Sequence, residues 1–314
     1  MIIVKKEKIE ADLELCQLVL NCFGAYVSIK DRNKKYVYAN RKLATLVGIQ
    51  LDSVVGCIDR QLFDYTTFQD SDNCVLDYGD YVEDKEVVII KSTGEQRVFL
   101  SSKQPIFNVN KLIVGVLCVS TDITEMYFQQ KKLEVEATTD PLTGLFNRRF
   151  LFTLGYKYLS DSILFNKSLS LIMLDIDLFK DINDKYGHPV GDSVIKFVAS
   201  VIKGLLRKED ILARVGGEEY LVLLPNTNVK LAGVIAEKIR AYMDKQSISG
   251  DWTGEILPKL SLGVSSYEAG DVEFDQIYAR ADKALYQAKN SGRNKVCMFS
   301  RVITMNKSYT SFIN

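Results

Sequence analysis

The sequence predicts an α+β protein with two domains joined by a helix. Three observations predict it. Five strand-like runs crowd into residues 20–124, an amphipathic stretch follows at 123–140, and beyond it apolar runs end in paired carboxylates. A chain of 314 residues suits about two ordinary domains.

Residues 1–19 are assigned to an N-terminal helix, and "MIIVKKEKIEADLEL" has no signal-peptide apolar core. "AYVSIK", "KYVYAN", "EVVIIK", "QRVFLSSKQPIF" and "KLIVGVLCVSTD" read as strands, because β-branched and aromatic residues dominate them. A helix is expected at "RKLATLVG", with short helical or loop segments before the third strand. The result is an antiparallel sheet over 20–124 with helices on one side. Ile123, Met126, Gln130, Leu133 and Ala137 then follow an approximate a/d spacing, which predicts a connecting helix over 125–139 that could pair with its twin in a dimer. Asp140 and Pro141 are suited to cap and start the next helix, opening a domain over 140–300. The tail 301–314 carries no motif.

Within that domain Leu169 to Leu174 is a near-continuous apolar run, as a central strand requires, and it ends in Asp175-Ile176-Asp177. In "ILARVGGEEYLVLLP" two apolar runs flank Gly216-Gly217, which predicts a hairpin with a two-residue primed turn and positive φ. Alone, Glu218 and Glu219 would be a solvated turn. With a second acidic strand end nearby, a divalent cation becomes the favourable way to gather carboxylates that are costly to bury unpaired. Lys180, Asn183 and Asp192 follow at spacings suited to surround a ligand, the lysine as a point charge for phosphate and the other two for a purine edge.

Composition excludes other chemistries. Forty basic and forty acidic residues cancel, so no bulk field recruits nucleic acid or an anionic membrane, and neither is expected as a partner. The single histidine, His188, rules out multi-histidine zinc sites within one chain and lies in an expected loop, "DKYGHPVGD". Oxygen ligands, and hence Mg²⁺ or Mn²⁺, remain. Six cysteines without a C-x-x-C pair, with no apolar run of membrane length, point to free thiols in the cytoplasm.

"DPLTGLFNRR" (140–149), "DIDLFKDINDKYGHPVGD" (175–192), "RVGGEEY" (214–220) and "ADKALYQAKNSGRNKV" (281–296) together resemble the GGDEF domain of diguanylate cyclases. The resemblance implies a palm-like fold related to polymerase palms and adenylyl cyclases. It implies that two GTP become cyclic di-GMP and two pyrophosphates in a homodimer. Asp175, the Ile176 carbonyl and Glu218 would hold Mg²⁺ (or Mn²⁺). Asn183 and Asp192 would bind guanine. Lys180, Lys289 and Arg293, with the Phe179 backbone, would contact the triphosphate. Glu219 would be a second metal ligand or activate the 3′-hydroxyl. Arg207 and Asp210 match an inhibitory site for the product, against the alternative of an i,i+3 surface ion pair; Lys238 stands near where relatives use a further arginine. The motif reads GGEEY, and Tyr220 is expected in the core with a partner for its hydroxyl. The alternatives in function are a catalytically silent module binding GTP or cyclic di-GMP, and a cyclase using one nucleotide or ATP.

Residues 20–124, through "YVYANRKLATLVG", "VVGCIDRQLF" and "GVLCVSTDITE", resemble a PAS sensor. Its ligand is not readable. Haem through histidine is excluded, since His188 lies in the other domain, and Cys74 is expected as a helix residue.

Overall fold

The structure, a computed structural model, describes residues 15, 18–22, 24–65 and 71–299. Most of the helix expected over 1–19, and the tail, lie outside the described residues. The chain divides into two compact units after Lys132.

The first unit holds a six-stranded sheet in the order β2-β1-β6-β5-β4-β3, from β1 (Tyr26–Asp31), β2 (Tyr36–Ala39), β3 (Phe63–Tyr65), β4 (Val82–Ile90), β5 (Gln96–Phe107) and β6 (Ile113–Asp122). Every pairing is antiparallel. Strand β3 was not among the five expected; only three residues long, it pairs with the end of β4. Between β2 and β4 run α1 (Arg41–Val47), α2 (Leu51–Val54), α3 (Asp59–Leu62) and α4 (Ser71–Tyr78), the last carrying exposed Cys74. Asn40 starts α1: its Oδ1 accepts from Leu43 N at 3.1 Å and from Val27 N at 3.2 Å, tying the helix to β1. Val47, Val54, Phe63, Ile90 and Phe99 fill the core.

This unit also buries charge, which no local pattern announced. Lys30 Nζ lies 2.5 Å from Asp59 and 2.8 Å from Asp72, while Lys103 Nζ lies 2.7 Å from Glu86 and 3.0 Å from Asp72. Lys30, Asp59, Glu86 and Lys103 line a cavity of about 40 Å³ with Tyr65 and Phe99. Helix α5 (Thr124–Thr138) follows, started by Asp122 Oδ1 accepting from Thr124 N at 2.9 Å, and buries none of its residues.

The second unit has the sheet order β12-β11-β8-β10-β9-β7. Its members are β7 (Phe146–Asn147), β8 (Leu169–Ile176), β9 (Ile211–Arg214), β10 (Glu219–Pro225), β11 (Leu260–Ser266) and β12 (Val296–Met298). The four middle strands are antiparallel and both edge strands pair in parallel, so the sheet is mixed at its rims. All eight residues of β8 are buried because helices cover both faces, which is why it reads as an unbroken apolar run. Ile172 and Leu174 pack with α8 (His188–Leu205) and α9 (Val229–Met243); Leu171 and Met173 pack with α6 (Arg148–Phe165) and α10 (Phe274–Asn290). Gly263 lets α10 lie directly on β11: a Cβ there would stand 2.2 Å from the Ala281 carbonyl oxygen.

Two expectations are corrected here. No helix starts at Asp140. Its carboxylate closes a turn, accepting from Thr143 N at 2.9 Å and Thr143 Oγ1 at 2.6 Å, and the helix begins at Arg148, capped by Asn147. His188 is not in a loop; it is the first residue of α8, after Gly187 at φ 84° and before Pro189, which needs no amide partner in a first turn. Among the described residues no helix is long and apolar enough to cross a membrane.

Candidate active site

The end of β8 is where the acidic residues meet. Across the β8–β10 ladder Glu219 is the register partner of Asp175, and the Glu218 carbonyl accepts from Ile176 N at 3.3 Å. Asp175 is 3% exposed. Burial pushes its carboxyl up to about 6; the Lys289 ammonium, 2.6 Å from Oδ2, opposes that shift, and the charges of Glu218 and Glu219 add to it. Lys289 comes from the last turn of α10.

The hairpin differs from expectation. Val215 N donates to Glu219 O at 2.9 Å, leaving Gly216, Gly217 and Glu218 in the loop, and neither glycine is in the left-handed region. The loop is shaped by Arg214 instead. Its Nη2 donates to Gly217 O at 2.7 Å and its Nη1 to Asp140 Oδ1 at 3.1 Å, contacts that a two-residue primed turn would not present. Gly216 keeps room for a carboxylate, since a Cβ there would come within 2.5 Å of Glu219 Oε2.

The second aspartate of Asp175-Ile176-Asp177 is already engaged. Asp177 Oδ1 accepts from Ser261 Oγ at 2.7 Å and Oδ2 from Asn294 N at 2.9 Å. Only Asp175 faces the glutamates. Among the described residues no three His, Cys, Asp or Glu side chains form a metal site unaided. The donor set nonetheless fits Mg²⁺, which is usually held by one or two carboxylates and completed by water and substrate phosphates. Asp175, Glu218 and the Ile176 carbonyl are such a set, and the mutual repulsion registered at Asp175 is what a divalent cation relieves.

Beside β8 lies α7 (Phe179–Tyr186), entered through Leu178 at φ 56°. Phe179 is buried, and Lys180 is exposed. Asn183 Oδ1 is buried without a hydrogen-bond partner, which a native structure keeps only for a reason. Space for it is made by Gly191, where a Cβ would stand 1.9 Å from that oxygen. Asp192 is the next residue, exposed in the first turns of α8. Arg293 is exposed in the loop after α10, at φ 59°. The structure thus gathers Asp175, Glu218, Glu219 and Lys289, while Lys180, Asp192 and Arg293 sit exposed on α7, α8 and the loop after α10.

Arg207 and Asp210 lie in the turn before β9. Asp210 Oδ2 accepts from the Arg207 backbone N at 2.9 Å, so the surface ion pair weighed as the alternative is not formed, and the Arg207 side chain is exposed. Tyr220 is a core residue whose hydroxyl donates to Ile195 O at 2.8 Å. Sequence reasoning assigned no role to Gly191, Arg214, Ser261 or Asn294. Three of them lie inside quoted motifs, but their partners are 8 to 117 positions away or are main-chain atoms, so spacing gave no cue.

A carboxylate cluster at the end of a central antiparallel strand, with a lysine on it, is a set of groups that metal-assisted nucleotidyl transfer can use. Comparison with known proteins narrows it. The profile of "Diguanylate cyclase, GGDEF domain" matches residues 137–295, and that of the PAS fold matches 20–127. A diguanylate cyclase of Vibrio cholerae is 36% identical over 289 residues, covering 91% of this chain and 89% of its own. Diguanylate cyclase A of Treponema denticola is 43% identical over 164 residues, 51% of this chain and 44% of that longer protein. The crystal structure of the coiled coil and GGDEF domain of DgcB from Caulobacter crescentus, in complex with c-di-GMP, superposes with TM-score 0.54 at 30% identity, over 56% of this chain and 93% of that one. The chain belongs to the GGDEF family of diguanylate cyclases, here with a PAS fold ahead of the catalytic domain.

Proposed function

We propose that the protein condenses two GTP into cyclic di-GMP and two pyrophosphates as a cytoplasmic homodimer. The observation that carries this reading is the placement of Glu219 opposite buried Asp175, with the Glu218 carbonyl on Ile176 N. Asp175, the Ile176 carbonyl and Glu218 would hold Mg²⁺ (or Mn²⁺), which would supply charge neutralisation for the triphosphate and make the attacking hydroxyl more acidic. Lys289, Lys180 and Arg293 offset the rest of that charge. Glu219 accepts the proton of the attacking 3′-hydroxyl. The unpaired Asn183 Oδ1 requires a donor and the Asp192 carboxylate can only accept, so the pair matches the N1–H and N2–H groups of guanine and rejects adenine, whose N1 is an acceptor. Each GTP supplies its 3′-oxygen to the α-phosphorus of the other, so two half-sites face each other across a dimer.

Cyclic di-GMP also inhibits, through Arg207 with Asp210; the exposed guanidinium, not spent on Asp210, supports this. The PAS fold regulates output through α5, and the small, charge-lined cavity favours a ligand of few atoms over a large cofactor. Incubating purified protein with GTP and Mg²⁺ and separating the products tests the reading. Cyclic di-GMP is expected; dimeric protein that leaves GTP unchanged contradicts it.

A further inference from the structure

We propose that Asn294 is a positioning residue that, locked to Asp177, Asp244 and Arg240, aims the Arg293 guanidinium at the triphosphate. This rests on the reading of Arg293 as a phosphate contact. Gly292, Arg293 and Asn294 are consecutive left-handed residues, at φ 110°, 59° and 45°. Glycine adopts this conformation freely and asparagine tolerates it, but arginine does so at a cost, so the surroundings must impose it.

Asn294 supplies the restraint. Its backbone N donates to Asp177 Oδ2 at 2.9 Å, its Nδ2 donates to Asp244 Oδ1 at 2.9 Å, and its Oδ1 accepts from Arg240 Nη1 at 3.1 Å. Each partner is itself fixed. Ser261 Oγ holds Asp177 at 2.7 Å, Lys259 Nζ holds Asp244 at 2.5 Å, and Glu237 holds Arg240 at 2.6 Å. On the other side Arg293 N donates to Ala288 O at 3.1 Å. The end of β8, the start of β11 and the end of α9 therefore converge on the residue after Arg293, whose own side chain stays exposed and makes no ion pair among the described residues. Asp177 is two positions from Asp175, so one short rigid path sets where Arg293 stands relative to the acidic cluster. Displacing a phosphate clamp by an ångström is enough to lose its benefit.

A double-mutant cycle separates positioning from plain stability. The full chain is titrated with Mg²⁺ and a GTP analogue bearing a methylene bridge between its α- and β-phosphorus, so that no turnover intervenes. Asn294→Ala is expected to weaken binding roughly tenfold when Arg293 is present and less than twofold in an Arg293→Ala background. Asn294→Gly, which keeps the backbone freedom and loses the side-chain bonds, should behave as Asn294→Ala. Equal losses in both backgrounds overturn the proposal, even while the wild-type chain makes cyclic di-GMP. If Asn294→Ala does not unfold cooperatively, Ser261→Ala, which loosens only Asp177, carries the same cycle. A chain that shows the coupling yet makes no cyclic di-GMP keeps this assignment and refutes the reaction; a chain that does not bind the analogue refutes both.

Discussion

Glu219 faces Asp175 across the β8–β10 ladder, and this pairing puts a hairpin carboxylate beside one that burial has pushed up to about 6. Neither segment is acidic enough to suggest a metal site alone. Their juxtaposition is the product of a strand register set some forty residues apart in the chain.

Asp175→Ala and Glu218→Ala each remove a cation ligand, and turnover should fall by roughly a hundredfold or more. The thermal midpoint should hold in both variants, because Glu218 is only half-buried in a loop and the Asp175 carboxyl is one that burial already disfavours in its charged form. Chromatographic cyclic di-GMP yields and a melting curve check both; residual activity within a few-fold of wild type refutes the ligand assignment.

Gly191→Ala places a methyl where Asn183 Oδ1 now sits, 1.9 Å away. The amide must swing away from its present position, so the KM for GTP should rise by roughly tenfold, the loss of about one good hydrogen bond, with little change in kcat. An unchanged KM would mean that Asn183 does not read the base.

The N-terminal unit should be acid-sensitive through its buried charges. Burial alone would raise the Asp72 carboxyl, but Lys30 and Lys103 overcome it and hold it at about 2, below the unfolded value of 3.8. A depressed folded pKa contributes stability above pH 4, which is lost as pH falls toward 2. Asp72→Asn should abolish that slope and, by leaving two buried ammonium groups short of a partner, cost about 3 kcal/mol at neutral pH. Urea titrations at several pH values measure both; parallel curves for wild type and variant contradict the account.

Tyr220→Phe keeps the ring in the core and removes only its hydroxyl. It deletes one hydrogen bond to a helix carbonyl, so stability should fall by about 1 kcal/mol and turnover stay unchanged. A large loss of activity would give the hydroxyl a chemical role.

Arg207→Ala should leave the initial rate intact and relieve inhibition by added product. Progress curves with and without cyclic di-GMP distinguish this from a purely structural turn, for which inhibition would persist.

What could be read in the sequence was whatever repeats at strand or helix period. The apolar run before Asp175 announced a central strand because both its faces are covered, and "RKLATLVG" announced α1 because Leu43, Ala44 and Val47 share its buried side. Features closed by distant partners were illegible. Lys30 meets Asp59 and Asp72 across 29 and 42 positions, and Asp177 meets Asn294 across 117. The turn at Gly216-Gly217 departs from its local pattern for the same reason: Arg214, anchored on Asp140 74 positions away, shapes it more than glycine's freedom does.

The central claim is that Asp175 and Glu218 share a divalent ion that grips a nucleoside triphosphate. Paramagnetic resonance of Mn²⁺ titrated into the full chain with the non-reactive GTP analogue tests it most directly. Tightly bound Mn²⁺ that is lost on Asp175→Ala and on Glu218→Ala is the predicted result. Mn²⁺ bound equally by all three proteins would contradict it.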